Sequence, residues 1–297
     1  MHWCTTLLAL AAVPIVSSLP LSLPSLTPKT QPQRAVWLWN SDIIKDDTAV
    51  SKFFSTASAP SNKFTTVYAL IDRDMGNDAW QSFVSKCNSS GIAVEGLMGD
   101  SQWILGRTSD DGPTFQHSLD WIKQYQASVP DNAKLAGIHL DVEPWGLDGW
   151  EANKDEYVGE LVSIVGKTVE AGKALGLPVA ADLPFWANTV DCEDTKLDAY
   201  MAKKLDSITF MTYRASPLDL LDVASPVLKT VSGLGKKAYV SVETASNVAD
   251  ASLISYAGKA LGTLVDDLSK VEQLAMAHSG FSGIAVHDYK SLVAMSG

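Results

Sequence analysis

Eight short runs rich in β-branched and aromatic residues alternate with amphipathic stretches along almost the whole sequence, and that alternation leaves few folds open. The runs are AVWLWN (35–40), FTTVYALID (64–72), IAVEGLMG (92–99), LAGIHLDVE (135–143), LPVAADLP (177–184), LDSITFMTY (206–213), KAYVSVET (237–244) and FSGIAVHDY (281–289). Between them lie stretches with helical spacing of apolar residues, among them NDAWQSFVSKC, TFQHSLDWIKQYQ and EYVGELVSIVGKTVEAGKALG. Gly91, Gly176 and Gly235 stand where those helices should stop, since glycine enters the left-handed conformation of a helix C-terminus without a Cβ penalty. Strands separated by helices pair in parallel, and eight such units close into a (β/α)8 TIM barrel. The expectation is a single α/β barrel domain over residues 35–297. Its last helix should be very short, with the segment before Ala35 covering the gap.

Ahead of the barrel, residues 1–18 read as a signal peptide: an apolar run, CTTLLALAAVPIV, is followed by the small residues Ser17 and Ser18. Residues 19–34 read as a Pro/Ser-rich leader. The apolar run is too short to span a bilayer, so the expectation is a secreted, extracellular, monomeric protein. Acidic residues outnumber basic ones 34 to 23, for a net charge of -11. That balance disfavours nucleic acid and anionic membranes as partners and suits a neutral or cationic saccharide. Cys87 and Cys192 invite a disulfide in an oxidising compartment. The barrel opposes it, placing one near its bottom and the other near its top. Asn88 begins the sequon NSS.

In a barrel of this kind the chemistry sits at the C-terminal ends of the strands. The fourth run continues as GIHLDVEPW, with His139, Asp141 and Glu143 spaced by two. Side chains two apart share a face, so Ile138, Leu140 and Val142 should face the helices and the polar three the lumen. By the same phase, Asp182 on the fifth strand, Met211 and Tyr213 on the sixth, Glu243 on the seventh and His287 on the eighth point inward. Two rim carboxylates, Glu143 and Glu243, suit glycosidic bond cleavage: one protonates the leaving oxygen, the other attacks or stabilises the sugar cation. Asp141 below Glu143 should raise its pKa. Trp37, Trp39, Trp145 and Trp186 offer flat faces for sugar rings. Arg214 is placed to bind a substrate acid group or to pair with Glu243. His139 lies deeper, as a core histidine bonded to Asp141 or as a substrate contact. Asp72 and Glu95 add acids on the second and third strands.

GIHLDVE resembles the fourth-strand motif of the family 18 glycoside hydrolases, the chitinases and their relatives, written DGxDxDxE. Gly137, Asp141 and Glu143 match it, while His139 replaces the first strand aspartate and Ala136 the acid before the glycine. Met211 and Tyr213 match that family's M-x-Y on the sixth strand, with Arg214 where an aspartate is usual. The resemblance implies substrate-assisted hydrolysis, in which the sugar's N-acetyl group attacks while Asp141 and Tyr213 orient it. Glu143-Pro144 and Glu243 also resemble the acid/base and nucleophile of clan A retaining glycosidases, with Val142 in the place of the usual asparagine. That likeness implies a nucleophilic Glu243, and the loss of the sixth-strand aspartate tilts the reading toward it.

A secreted glycoside hydrolase acting on a poly- or oligosaccharide, without cofactor or metal, is therefore the leading expectation. A catalytically silent carbohydrate-binding barrel is a second reading. A metal-dependent hydrolase using His139, Asp141, Glu143, Asp182 and His287 is a third. It is opposed by strand geometry, since residues 139 and 143 lie roughly 13 Å apart along an extended strand.

Overall fold

Most of the β-rich runs carry apolar side chains in both phases, and such a run needs cover on both faces. In the computed structural model, which describes residues 31–109 and 112–295, the sheet closes on itself. The barrel strands are β1 (Gln33–Leu38), β2 (Thr66–Leu70), β3 (Ala93–Met98), β4 (Gly137–Leu140), β5 (Val179–Pro184), β6 (Ser207–Met211), β7 (Lys237–Glu243) and β8 (Phe281–His287). They pair in parallel in sequence order, and β8 returns to β1. This is the expected (β/α)8 barrel, and from Pro32 onward the described residues form one compact unit. The segments expected to be a signal peptide (1–18) and most of the Pro/Ser-rich leader (19–34) lie outside the described residues. None of the described helices is long and apolar enough to cross a membrane.

The helices are α1 (Asp47–Ser58), α2 (Asn77–Ser89), α3 (Phe115–Ser128), α4 (Lys154–Leu175), α5 (Leu197–Lys204), α6 (Pro217–Gly233), α7 (Ala251–Ile254), α8 (Leu261–Ala275) and α9 (Tyr289–Leu292). Local chemistry sets their ends. The Asp46 carboxylate accepts from the Ala49 amide at 2.7 Å and caps α1, and α4 stops at Gly176 with φ of 68°. The four-residue α9 is the short last helix expected from sequence. Between β5 and α5 the chain makes a small antiparallel hairpin, Asp191–Cys192 with Thr195–Lys196, which the periodicity did not announce.

The strand phases divide the interior in two. Ile138, Leu140 and Val142 are at most 2% exposed and pack into the core shared with the helices. Such a side chain contributes about 1.5–3 kcal/mol on burial. Inside the lumen a separate cluster of Ala35, Trp37, Tyr68, Leu97 and Ala285 forms the floor beneath the strand ends. Two glycines bring backbones close enough to shape what lies above it. A Cβ on Gly99 would sit 1.8 Å from the Asp141 carbonyl oxygen, and one on Gly137 would sit 3.3 Å from Glu95 Cγ. Gly99 thus lets the end of β3 hold the Asp141 backbone, whose amide donates to the Met98 carbonyl at 3.0 Å. Gly137, in register with Glu95, leaves room for that side chain. Cys87 and Cys192 are free thiols, both buried, and burial pushes the Cys87 thiol up to about 12.

Candidate active site

On the lumen floor the polar groups are closed on one another. His139, fully buried, sits between two acids: Nδ1 is 2.9 Å from Glu95 Oε2 and Nε2 2.9 Å from Asp182 Oδ1. Its ring stacks on Tyr68 at 3.7 Å between centroids. Burial opposes the imidazolium, but the Asp182 and Glu95 carboxylates outweigh it and lift the pKa to about 10. The second Asp182 oxygen accepts from Trp37 Nε1 at 3.2 Å, and Tyr68 Oη pairs with Thr209 Oγ1 at 3.2 Å. Asp182 is 2% exposed, so it holds the floor rather than facing substrate.

Above the floor the pattern reverses. Asp141 and Glu143 face a pocket of about 390 Å³, together with Trp39, Met211, Tyr213 and His287. Asp141 Oδ1 is buried and has no hydrogen-bond partner. Burial, then the Asp182 and Glu143 charges, holds its carboxyl well above the usual range. Glu143 follows β4, its backbone turned by Pro144 into a short 3-10 turn, Pro144–Gly146. Burial raises its pKa too. The Trp145 indole, donating to Oε2 at 2.8 Å, pulls the other way, and the Asp182 charge adds to the rise. Burial, and then the charges of Asp182, Asp141, Glu243 and Glu143, push the Tyr213 phenol up and keep it protonated. The pocket therefore presents a protonatable acid, an unsatisfied acceptor and a phenolic donor.

Glu243 does not face Glu143 across the mouth. It is 2% exposed, its Oε1 accepts from the Thr244 and Ala245 amides at 2.7 Å each, and its Oε2 meets His287 Nδ1 at 2.8 Å. The chain curls back at the end of β7, and the carboxylate caps its own turn. His287 is the group that lines the pocket, and its Nε2 accepts from Trp39 Nε1 at 2.8 Å.

No protein-family model matches the sequence, and no curated protein matches it. The barrel does match solved structures. It superposes on a GH18 chitinase from Pseudoalteromonas aurantia with a TM-score of 0.53 at 10% identity, covering 87% of this chain and 94% of that one. A GH18 chitinase from Cycas revoluta, solved in complex with (GlcNAc)3, gives 0.51 at 11% identity over 88% and 96%. A chitinase from Chromobacterium violaceum gives 0.50 at 11% identity over 89% and 97%. The fold is a divergent chitinase-like barrel.

Within this chitinase-like barrel several side chains differ from what the sequence led one to expect. His139 was expected to bond Asp141 or to touch substrate. It bonds Glu95 and Asp182 instead of Asp141, and it is fully buried and does not line the pocket. Trp37 was expected as a sugar platform, yet it is 1% exposed and packs edge-on against Tyr68, His139 and His287. Arg214 does not pair with Glu243. Its Nη1 donates to the Tyr213 carbonyl at 2.7 Å and its guanidinium lies over the Phe185 ring. Asp72 is drawn to Lys45, 3.5 Å away, and caps its own turn.

Trp145 and Trp186 are half-buried, and with Trp150 they wall a second cavity of about 490 Å³ beside the acid. Among the described residues no group of three or more His, Cys, Asp or Glu side chains is arranged to hold a metal ion. Tyr68, which stacks on His139 and bonds Thr209, belongs to no motif in the sequence. Its lumen phase beside His139's level was the signal that points to it.

Proposed function

We propose that this protein is a glycoside hydrolase that cleaves N-acetylated amino-sugar chains with the help of the substrate's own acetamido group, acting outside the cell. The observation that carries the reading is the orphaned, buried Oδ1 of Asp141 beside Glu143 and Tyr213 in one pocket. A buried acceptor without a partner costs free energy, and a sugar acetamide N–H supplies the missing donor.

In this reading Glu143 protonates the glycosidic oxygen while the acetamido carbonyl oxygen attacks the anomeric carbon. The C–O bond to the leaving group breaks and a cyclic oxazolinium forms. Asp141 accepts the acetamide N–H, and Tyr213 donates to the carbonyl side. Glu143, now a carboxylate, takes a proton from the water that opens the ring. The burial of Glu243 speaks against its use as nucleophile, since backbone amides and His287 already occupy its oxygens. The (GlcNAc)3 carried by the Cycas revoluta neighbour fits the same substrate class. Export rests on the apolar run that precedes Ser17 and Ser18.

The test is release of reducing ends from matched acetylated and deacetylated oligosaccharides by the native protein and Glu143→Gln. Cleavage of the acetylated series alone, reduced at least ~100-fold in the variant, is the expected result. Binding without cleavage would leave the silent carbohydrate-binding barrel. Equal cleavage of both series would return the nucleophile to a protein carboxylate.

A further inference from the structure

The proposed hydrolysis leaves Glu243 and His287 without a task, although both Glu243 oxygens and both His287 nitrogens have hydrogen-bond partners. An indole nitrogen has only a hydrogen to give. Trp39 Nε1 lies 2.8 Å from His287 Nε2, so that ring nitrogen must be unprotonated for the bond to exist. The ring's one hydrogen then sits on Nδ1 and is donated to Glu243 Oε2 at 2.8 Å. Glu243 cannot turn away, because two backbone amides fix its other oxygen and β7 and β8 hold residues 243 and 287 in register.

What this chain of bonds fixes is the wall between two cavities. Trp39 and His287 line the 390 Å³ pocket and also a groove of about 980 Å³ beyond it, toward α1 and α9. A saccharide longer than the pocket must pass the Trp39 indole to enter that groove.

We infer that His287 is a positioning residue that holds the Trp39 indole as this wall, and that Glu243 serves by setting the tautomer in which His287 can do so. The substrate arm of this inference rests on the glycosidase reading; the tautomer does not. Around the imidazole stand Glu243 from β7, Asp288 next to it, Asp182 from β5, Glu143 after β4 and the Tyr213 phenol after β6. Burial disfavours the imidazolium, while the carboxylates, Glu243 foremost, favour it and raise the pKa. Protonation at Nε2 removes the acceptor for Trp39, so the indole is released as the pH falls through the His287 titration.

Nitrogen-15 NMR of the imidazole rings in the full chain, with His287 assigned by its loss in His287→Phe, reads the tautomer directly. On the alkaline side of the titration the hydrogen should be on Nδ1, and the Trp39 indole N–H should shift in step as the ring protonates. Glu243→Gln makes the sharper test. Its amide oxygen must keep the two backbone donors, so its NH2 faces Nδ1 and drives the hydrogen to Nε2, against Trp39. The variant should show the Nε2–H tautomer and a KM for long oligosaccharides raised about tenfold, the scale of one net hydrogen bond, with a smaller change in kcat. Trp39→Phe should raise KM similarly, and the double variant no further.

An Nε2–H tautomer in the native protein, or fully additive losses, would overturn the inference. A chain that cleaves no sugar would end the glycosidase reading and leave the tautomer measurement intact. Should Glu243→Gln fail to fold, the native spectrum and Trp39→Phe still decide.

Discussion

His139 and Asp141 are two residues apart on the same strand end, both in the lumen and both among acids, yet they live under opposite rules. At the floor, both His139 nitrogens and both Asp182 oxygens have partners. One layer up, an Asp141 oxygen has none. A closed network stiffens the structure and offers nothing to a ligand. An open one costs stability, roughly 1–3 kcal/mol for one buried polar group, and is completed by whatever enters the pocket. Acid content therefore does not mark the site here. What separates the two layers is the unmet hydrogen bond beside Glu143 and Tyr213.

Breaking the floor should produce the largest effect. His139→Leu strands Glu95 and Asp182 without their cation and should cost about 3–5 kcal/mol, as for a buried pair that loses one member. The native protein carries a matching pH signature. The folded pKa of His139, about 10, lies above its ordinary value of 6.5. The stabilisation is full below about pH 6.5, declines as the pH rises and is gone above about pH 10. Denaturant titrations across that range should show the slope in the native chain and none from this group in the variant. A variant of native stability at pH 6 would mean that the clamp contributes little.

Opening the comparison from the other side, Asp141→Asn should stabilise the protein while disabling it. The Asp141 carboxyl is held above its ordinary value of 3.8, so burying it weakens the fold progressively as the pH rises from that value toward the folded pKa. Asparagine does not titrate, so at neutral pH the variant should be spared the loss the native carboxyl accumulates between its ordinary and its folded pKa, roughly 1 kcal/mol per pH unit. On the proposed mechanism turnover should fall by about a hundredfold, because asparagine cannot ionise against the positive charge that develops on the acetamide as the oxazolinium forms. Loss of both stability and activity would make Asp141 part of the floor network after all.

How much of this was legible beforehand follows the same divide. Strand phase is a period-two property of the sequence, so the barrel, the inward turn of Asp141, Glu143, Tyr213 and Glu243, and the outward turn of Val142 could be read directly. Depth and closure could not. Trp37 and Trp39 share a phase, but one is sealed under the lumen and the other reaches the pocket. Glu243 points inward as expected, then bends back to the amides of Thr244 and Ala245 through a turn that depends on the backbone after the strand. The hairpin before α5 was missed because two-residue strands and an eight-residue helix carry too little periodicity to register.

The finest test of the rim concerns which oxygen of Glu143 carries the proton. Trp145 Nε1 donates to Oε2, and an oxygen accepting from an indole is a poor place for the carboxyl hydrogen, so the proton is directed to Oε1. The same bond favours the ionised form and holds the pKa below what burial alone would set. Trp145→Phe keeps the ring and removes the donor. The Glu143 pKa should then rise, moving the alkaline limb of the kcat/KM profile upward. The plateau should fall only severalfold, because a freely distributed proton is less often on the productive oxygen. The ring contacts to Trp150 and Trp186 are retained by phenylalanine in part, so binding of long oligosaccharides should change less than the pH limb. An alkaline limb that moves downward, or stays in place while KM rises, would assign Trp145 to the neighbouring cavity and not to the acid.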